Sequence, residues 1–229
     1  AGKQKVRCLI AVVHGKVRER ETCKEDNTEH LPVFEYIPGS ISITFRGTDT
    51  LENVVADVKA ITVPYDDPPF VPSDTGDSNQ KSVTSEKEAE RVGMGTWRST
   101  VHYGFKDAWY GDDLRQTILQ YTFDKLKELD EEIQEANRLG LLIAPSSEST
   151  VAPLVVPTID IVGHSLGGSI AVLAAYDLAK SISSMKSSKQ AHIRVYTMGC
   201  PRVGNVRFAK LFNKLVPDCW NVINDNDIV

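Results

Sequence analysis

A β-branched run passes through a glycine-rich hexapeptide into an alanine-rich segment, and this stretch limits what the chain can fold into. The run covers residues 155–162, the hexapeptide reads Gly-His-Ser-Leu-Gly-Gly, and a helical pattern follows from Ser169 to Lys180. A strand that enters a helix through a serine flanked by glycines predicts a nucleophile elbow, a strained turn that lifts the serine hydroxyl clear of the sheet edge. Ser165 is therefore the predicted nucleophile.

The residues beside Ser165 each have a steric or chemical reason. A Cβ at Gly163 or Gly167 would collide with the neighbouring strand or helix while Ser165 holds its strained conformation. His164 completes the elbow and is expected to project away from the hydroxyl. The backbone N–H of Leu166 begins the helix and points towards a developing oxyanion, so Leu166 is the first predicted oxyanion-hole donor.

Length and composition favour one α/β domain over residues 1–229. A chain of 229 residues can bury one sizeable core, and no linker separates two. Hydrophobic residues make up 41% and charged residues 25%, as in an ordinary globular protein, and the net charge of −5 argues against a nucleic-acid partner. No ligand cluster has metal-binding spacing, so neither a metal nor another cofactor is expected.

The cysteines and the apolar runs bear on the compartment. No run approaches the roughly 18 apolar residues of a spanning helix, and the N-terminus lacks a signal-peptide pattern. Cys8, Cys23, Cys200 and Cys219 have no paired metal-ligand spacing and allow three disulfide connectivities. Cys8 and Cys200 lie in apolar strand-like runs, where a free buried thiol is the commoner state. These features favour a reducing, intracellular compartment.

The first half of the chain predicts mainly β structure, interrupted by polar segments. The predicted pieces are a buried strand at 6–13, a solvated charged loop at 14–29, strands at 33–36 and 40–45, a short helix at 51–61, and an exposed excursion at 64–94.

The second half alternates helices and strands. A helix is predicted over 113–140, with Asp113 and Gln116 as a capping box and Gly140 as its stop. From Thr158 onward, strand alternates with helix, including a helix at 206–215, which predicts a mostly parallel sheet with helices on both faces. Acidic residues at the carboxyl end of such strands stand beside the crevice where α/β enzymes keep their sites.

Ser165 needs a base, and the base needs a carboxylate that orients it. In α/β-hydrolases the chain order is Ser, then Asp or Glu, then His. Asp227 lies about sixty residues after Ser165 at the end of a strand, which favours it as the acid, with Asp225 as the competing candidate. Thr48, in the turn after the strand at 40–45, is placed for the second oxyanion donor, although by itself it would be a turn residue.

The base is missing from this pattern, because no histidine follows Asp227. Of the histidines present, His102 alone could approach Ser165, and such a residue is more often structural. The expectation is that the 229 residues are a piece of a longer product with the base beyond Val229. The histidines are His14, His30, His102, His164 and His192.

Five motifs in the same order resemble the class 3 (fungal-type) lipases of the α/β-hydrolase superfamily. The resemblance implies Ser165 as nucleophile, Asp227 as acid, Thr48 and Leu166 as oxyanion donors, and a histidine downstream of the acid. It also implies that the segment after Thr48 is a lid over the site, whereas its apolar residues alone would be read as core. The motifs are FRGT at 45–48, VHYGF at 101–105, GHSLGG at 163–168, PRVGN at 201–205 and NDNDIV at 224–229.

The resemblance implies a serine carboxylic-ester hydrolase that acts on acylglycerol lipids through an acyl-enzyme. Its substrate would be a lipid ester, met at a membrane or lipid-droplet surface, and its oligomeric state is left open. Phospholipase A1 or galactolipase activity is the alternative among enzymes, because head-group preference depends on the lid and loops. A non-catalytic lipase-like interaction module is the alternative outside enzymes, and it rests on the missing base.

Overall fold

The computed structural model describes residues 7–20, 33–47, 61–73, 98–142, 155–185 and 190–223, and a five-stranded sheet runs through them. In spatial order its strands are β1 (Cys8–Val13), β4 (Ser40–Phe45), β7 (Thr158–His164), β8 (His192–Met198) and β9 (Asp218–Val222). β1 is antiparallel to β4, and the other neighbouring strands are parallel. The predicted mostly parallel α/β sheet is confirmed.

Two strand pairs lie outside this sheet. They are β2 (Lys16–Arg20) with β3 (Val33–Ile37), and β5 (Thr62–Pro64) with β6 (Thr100–His102). The prediction of a loop over 14–29 is wrong where β2 forms, although residues 16–19 are solvated as predicted. Charged side chains are tolerated there because a two-stranded ribbon faces water, and Arg18 of β2 pairs across it with Glu35.

Four helices pack together against one face of the sheet. They are α1 (Tyr103–Tyr110), α2 (Leu114–Arg138), α3 (Leu166–Ser184) and α4 (Val206–Leu215). Alternate strand residues such as Ile43, Ile161 and Val195 point into this core and are fully buried. α3 is buried almost all round, as an apolar crossover helix beside the central strand β7 should be.

The opposite face of the sheet is largely exposed in the described part of the chain. Leu9 on β1 is 68% exposed and Trp220 on β9 is 47% exposed, while Tyr196 stacks on Trp220. The prediction that the first strand is buried is therefore wrong, because β1 alternates between the two faces. None of the described helices packs on this face, so its coverage by helices stays a prediction.

The ends of α2 differ in how well the sequence indicated them. Asp113 has a left-handed φ of 57° and makes no side-chain cap, so the predicted capping box with Gln116 is wrong. Gly140 has a φ of 70°, and the N–H of Leu141 donates to the carbonyl of Ala136. The predicted glycine stop is confirmed.

The segment 61–73 packs against α3, so the prediction of an exposed excursion from 64 is wrong at the buried residues Tyr65 and Phe70. Tyr65 is 1% exposed, and its hydroxyl donates to Asp177, a buried carboxylate that also accepts from Trp109 and Arg115. Burial raises the pKa of Tyr65 well above its usual value, so this donor keeps its proton. Residues 74–94, and 51–60 of the predicted short helix, lie outside the described residues.

The three described cysteines are free thiols, and Cys23 lies outside the described residues. Burial raises the pKa of the Cys8 thiol to about 12 and that of Cys200 to about 11, which makes both unreactive at neutral pH. Separately, no helix in the described ranges combines the length and the apolar character that a bilayer span requires.

Candidate active site

Ser165 occupies a one-residue turn between β7 and α3. Its φ of 53° and ψ of −125° lie in a region that residues with a side chain rarely adopt, at a cost of about 1–3 kcal/mol. Its N–H donates to the carbonyl of Met198 at 2.9 Å, and its own carbonyl accepts from the N–H of Gly168 at 2.9 Å. The strained residue is thus held by β8 on one side and by the first turn of α3 on the other.

The glycines around Ser165 leave no room for a side chain. A Cβ placed on Gly163 would lie 2.2 Å from the carbonyl oxygen of Gly167, and one placed on Gly167 would lie 2.4 Å from the carbonyl oxygen of Phe45. Both obstacles are backbone atoms, which a rotamer change cannot move. These distances agree with the steric argument made from the sequence.

The Ser165 hydroxyl is buried, contrary to the expectation that the elbow lifts it clear of the sheet edge. The residue is 2% exposed, and its Oγ has no hydrogen-bond partner among the described residues. The reason is the central position of β7, which places Ser165 between the carboxyl ends of β4 and β8. An unpaired buried hydroxyl costs about 1–3 kcal/mol, so it calls for an explanation.

The amino end of α3 adjoins the hydroxyl. α3 has 19 residues and begins at Leu166, directly after the serine. The first N–H groups of a helix have no intrahelical acceptor, and the helix dipole makes this end positive. The predicted oxyanion donor Leu166 therefore lies where negative charge on a substrate oxygen would be stabilised.

The chain passes the elbow immediately before the second predicted oxyanion donor. Thr48 itself lies outside the described residues. A Cβ on Gly47, the residue before it, would lie 2.7 Å from the carbonyl oxygen of His164, and Phe45 pairs with Gly163 across β4 and β7. The register of the two central strands therefore brings the chain to the site at residue 47.

His102, the one histidine expected to approach Ser165, caps a helix. Its Nδ1 accepts a hydrogen bond from the N–H of Gly104 at the start of α1. A neutral ring in this arrangement carries its proton on Nε2, so neither nitrogen has a free lone pair. Burial lowers the pKa of His102, which keeps the ring neutral. The structural interpretation of His102 is the better one.

The other described histidines are also placed away from the Ser165 hydroxyl. His192 pairs with Asp218 at the amino end of β8, about 20 Å along the strand from Met198. His14 pairs with Glu132 beyond the end of β1, near the amino end of β4. His164 is exposed on the face opposite Gly163. His30 lies outside the described residues.

The predicted acid and its competitor also lie outside the described residues. β9 ends at Val222, on the same edge of the sheet as Ser165, since β7, β8 and β9 are parallel. Two strand spacings of about 4.8 Å separate β9 from β7. Asp225 and Asp227 follow in the sequence a strand whose end is about 10 Å from the elbow.

One functional contact could not be inferred from the sequence. The carbonyl of Met198 holds the N–H of Ser165, and it is available because β8 runs parallel to β7 with His164 opposite Met198. The register between two strands 34 residues apart in the chain leaves no local sequence signal.

A family model described as "Lipase (class 3)" matches residues 42–229. Among curated proteins, the chain is 41% identical over 73 residues to Phospholipase A1-Igamma1, chloroplastic, of Arabidopsis thaliana, covering 31% of this chain and 14% of that protein. It is 30% identical over 176 residues to Secreted mono- and diacylglycerol lipase 2 of Gibberella zeae, covering 77% of this chain and 33% of that protein. The chain thus spans a third or less of the length of these relatives.

Solved structures are similar over most of the described fold. One is a triacylglycerol lipase whose catalytic centre is formed by a serine protease triad, with 26% sequence identity and a TM-score of 0.50, covering 83% of this chain and 50% of that chain. Another is M37 lipase, with 15% identity and a TM-score of 0.50, covering 96% of this chain and 54% of that chain. The second likeness concerns the fold alone.

The close contact at the elbow predicts that Gly163→Ala destabilises the protein. The added Cβ meets two backbone groups of α3, so we expect the free energy of unfolding to fall by about 3 kcal/mol or more. Gly111→Ala is the matched control, because no atom lies within 4 Å of its added Cβ, and we expect a change of less than about 0.5 kcal/mol. Urea denaturation followed by circular dichroism measures both. Equal midpoints for the two variants would contradict the packing described at the elbow.

Proposed function

The chain belongs to the class 3 lipase family, and from this premise we propose that it supplies the nucleophile of a serine carboxylic-ester hydrolase acting on acylglycerol lipids. The observation that carries the proposal is the state of Ser165. Its hydroxyl is unpaired among the described residues, its backbone is strained, and it lies at the amino end of a long buried helix. A structural serine has no need of this combination, whereas a nucleophile does.

The proposed reaction proceeds through an acyl-enzyme. Oγ of Ser165 attacks the ester carbonyl carbon while a base takes the hydroxyl proton. The carbonyl oxygen becomes an oxyanion, which accepts hydrogen bonds from the N–H groups of Leu166 and Thr48. Collapse of the tetrahedral intermediate expels the alcohol, which takes the proton from the base. Water then attacks the acyl-enzyme by the same route and releases the fatty acid.

The base must come from outside the described residues. His102 has no free lone pair, and His14 and His192 lie near the opposite edge of the sheet. We propose a histidine that Asp227 orients and whose charge Asp227 stabilises, in the arrangement that the Ser-Asp-His order of the fold requires. The position of β9 supports the choice of acid, because its carboxyl end lies on the same edge as Ser165.

Labelling with a fluorophosphonate tests whether the hydroxyl is activated. In the full-length protein we expect rapid labelling of the wild type and none of Ser165→Ala, because the probe phosphonylates only an activated serine. Mass spectrometry locates the adduct. Ser169→Ala is the control, since Ser169 is a buried serine one turn further along α3 and should leave labelling unchanged. Labelling of Ser165→Ala would assign the nucleophile to another residue, and no labelling of the wild type would favour an interaction module.

Substitution of the two candidate acids tests the triad. We expect Asp227→Asn to lower kcat by about 10³–10⁴-fold, because the amide no longer holds the base in the productive tautomer. Asp225→Asn makes the same chemical change two residues away and should cost less than about tenfold. Steady-state hydrolysis of a short-chain nitrophenyl ester measures both. The reverse ranking would assign the acid to Asp225.

Phospholipase A1 activity is the second candidate, and one observation favours it. The chain has its 41% identity with Phospholipase A1-Igamma1 over a block of 73 residues, although the block covers only 31% of this chain. An ester at the sn-1 position of a phospholipid presents the same carbonyl to Ser165, so the reaction would be unchanged. Only the group that occupies the rim of the crevice would differ.

Paired lipids separate the two candidates. We expect a diacylglycerol to be hydrolysed at least about tenfold faster, in kcat/KM, than a phosphatidylcholine with the same acyl chains, because a charged head group that leaves water at the rim without a partner costs free energy. Released fatty acid is measured for both in mixed micelles. A preference for phosphatidylcholine, with cleavage at sn-1, would replace the acylglycerol proposal by phospholipase A1. Ser165→Ala in both assays is the control.

A further inference from the structure

A segment of this acidic chain around α4 carries only positive charges. The whole chain has 26 Lys and Arg against 31 Asp and Glu, whereas residues 199–217 contain four basic residues and no acidic ones. This segment comprises the loop after β8 and all of α4. The basic residues are Arg202, Arg207, Lys210 and Lys214. Such a local reversal of sign indicates a surface that attracts anions.

The helix presents these charges as a stripe that faces away from the core. Phe208 and Phe212 lie on the inner side of α4 and are buried. Val206, Lys210 and Lys214 follow one another at intervals of four residues and form one row on the outer side. Arg207 and Leu211 form the adjoining row. We call these five outer residues the basic stripe.

The basic stripe combines charge with exposed aliphatic groups. Val206 is 71% exposed and Leu211 is 36% exposed, one on each margin of the charged side chains. Single exposed aliphatic residues are common on water-facing helices, so it is their place beside the charges that matters. At a lipid surface, however, aliphatic groups enter the boundary between head groups and acyl chains while Lys and Arg meet the phosphates.

Among the described residues, no acidic neighbour forms an ion pair with the charges of the stripe. Within the described ranges, Arg207, Lys210 and Lys214 form no ion pair. Asp218, the next acidic residue along the chain, pairs instead with His192. The positive field of the stripe therefore extends into solvent, where it can steer the protein towards an anionic surface over about one Debye length.

The stripe begins beside the edge that holds Ser165. β8 ends at Met198, whose carbonyl accepts from the Ser165 N–H, and the following loop brings Cys200 against the first turn of α3. α4 starts six residues later, capped by Asn205. Arg202 and Val206 thus lie towards the carboxyl edge of the sheet, so a surface bound there would lie next to the crevice.

We propose that the basic stripe, together with Arg202, docks the protein on bilayers that contain anionic phospholipid. The purpose of the docking, which is to bring lipid esters to Ser165, rests on the proposed function. The binding itself needs no catalysis. Lipid is favoured over other polyanions because Val206 and Leu211 frame the charges. A nucleic acid would use the cations and gain nothing from exposed aliphatic margins.

Vesicle binding by the full-length Ser165→Ala protein tests the docking without hydrolysis. Phosphatidylcholine vesicles are compared with vesicles that also contain phosphatidylglycerol, in a co-sedimentation assay. We expect at least about tenfold tighter binding to the anionic vesicles, weakened by added salt. Replacing the three cations of the stripe, Arg207→Gln with Lys210→Gln and Lys214→Gln, should abolish this difference. Val206→Ser should weaken binding without changing the salt dependence.

A matched set of substitutions separates the stripe from overall charge. Arg18→Gln, Lys127→Gln and Arg138→Gln remove three exposed cations from other surfaces, and we expect binding within about twofold of the parent. Equal loss in both triple variants, equal binding to neutral vesicles, or full binding by the stripe variant would each overturn the proposal. Thermal melting shows whether the stripe variant is folded, and the three single variants replace it if it is not.

The failure of the docking proposal can be told from failure of the proposed function. With Ser165 intact, the stripe variant should hydrolyse a water-soluble nitrophenyl ester within about twofold of wild type, since the stripe does not touch the ester. Vesicle binding without any esterase activity would leave the docking proposal standing and remove the hydrolase. Esterase activity with no preference for anionic vesicles would support the hydrolase and overturn the docking proposal.

Discussion

Three stretches of backbone meet at the elbow with no space for a side chain between them, and the site depends on this contact. The end of β4 touches the first turn of α3 at Gly167, and the end of β7 touches the same turn at Gly163. Because the obstructing atoms are carbonyl oxygens and amide nitrogens, the packing tolerates only glycine at both places. The contact sets the distance of α3 from the two central strands. It thereby sets where the amino end of the helix points.

The same contact explains the strained state of Ser165. Ser165 is the one residue between β7 and α3, and it has a positive φ where the strand turns into a helix packed this closely on the sheet. Its cost is met by the burial of α3 and by hydrogen bonds to the ends of the turn. Further along α3, Asp177 accepts hydrogen bonds from Tyr65 and Trp109. The helix is therefore held at its amino end and beyond its middle, which leaves the elbow little freedom to relax.

Residues that are far apart in the chain lie together at the carboxyl edge of the sheet. β4, β7, β8 and β9 are parallel, so Gly47, Ser165 and the end of β9 emerge on one side of the molecule. The loop that leads to α4 leaves from the same side and carries Arg202. Nucleophile, oxyanion donors, acid and the amino end of the docking stripe would then lie at one rim, while the rest of α4 runs back towards the amino end of β9.

The sequence by itself determined the local features: the glycine pattern about Ser165, the alternation of strands and helices after Thr158, the glycine stop at Gly140, and the bounds of α4. Each follows from sterics or periodicity within a few neighbouring residues. Only the tertiary structure decided that residues 64–73 are packed, that His102 caps a helix, and that the Ser165 hydroxyl is buried. Those outcomes depend on partners distant in the chain, such as Asp177 for Tyr65 and Met198 for Ser165. Contacts between segments that are distant in the chain cannot be predicted from composition or motif spacing. They depend on strand register and packing, which are fixed only when the whole sheet forms.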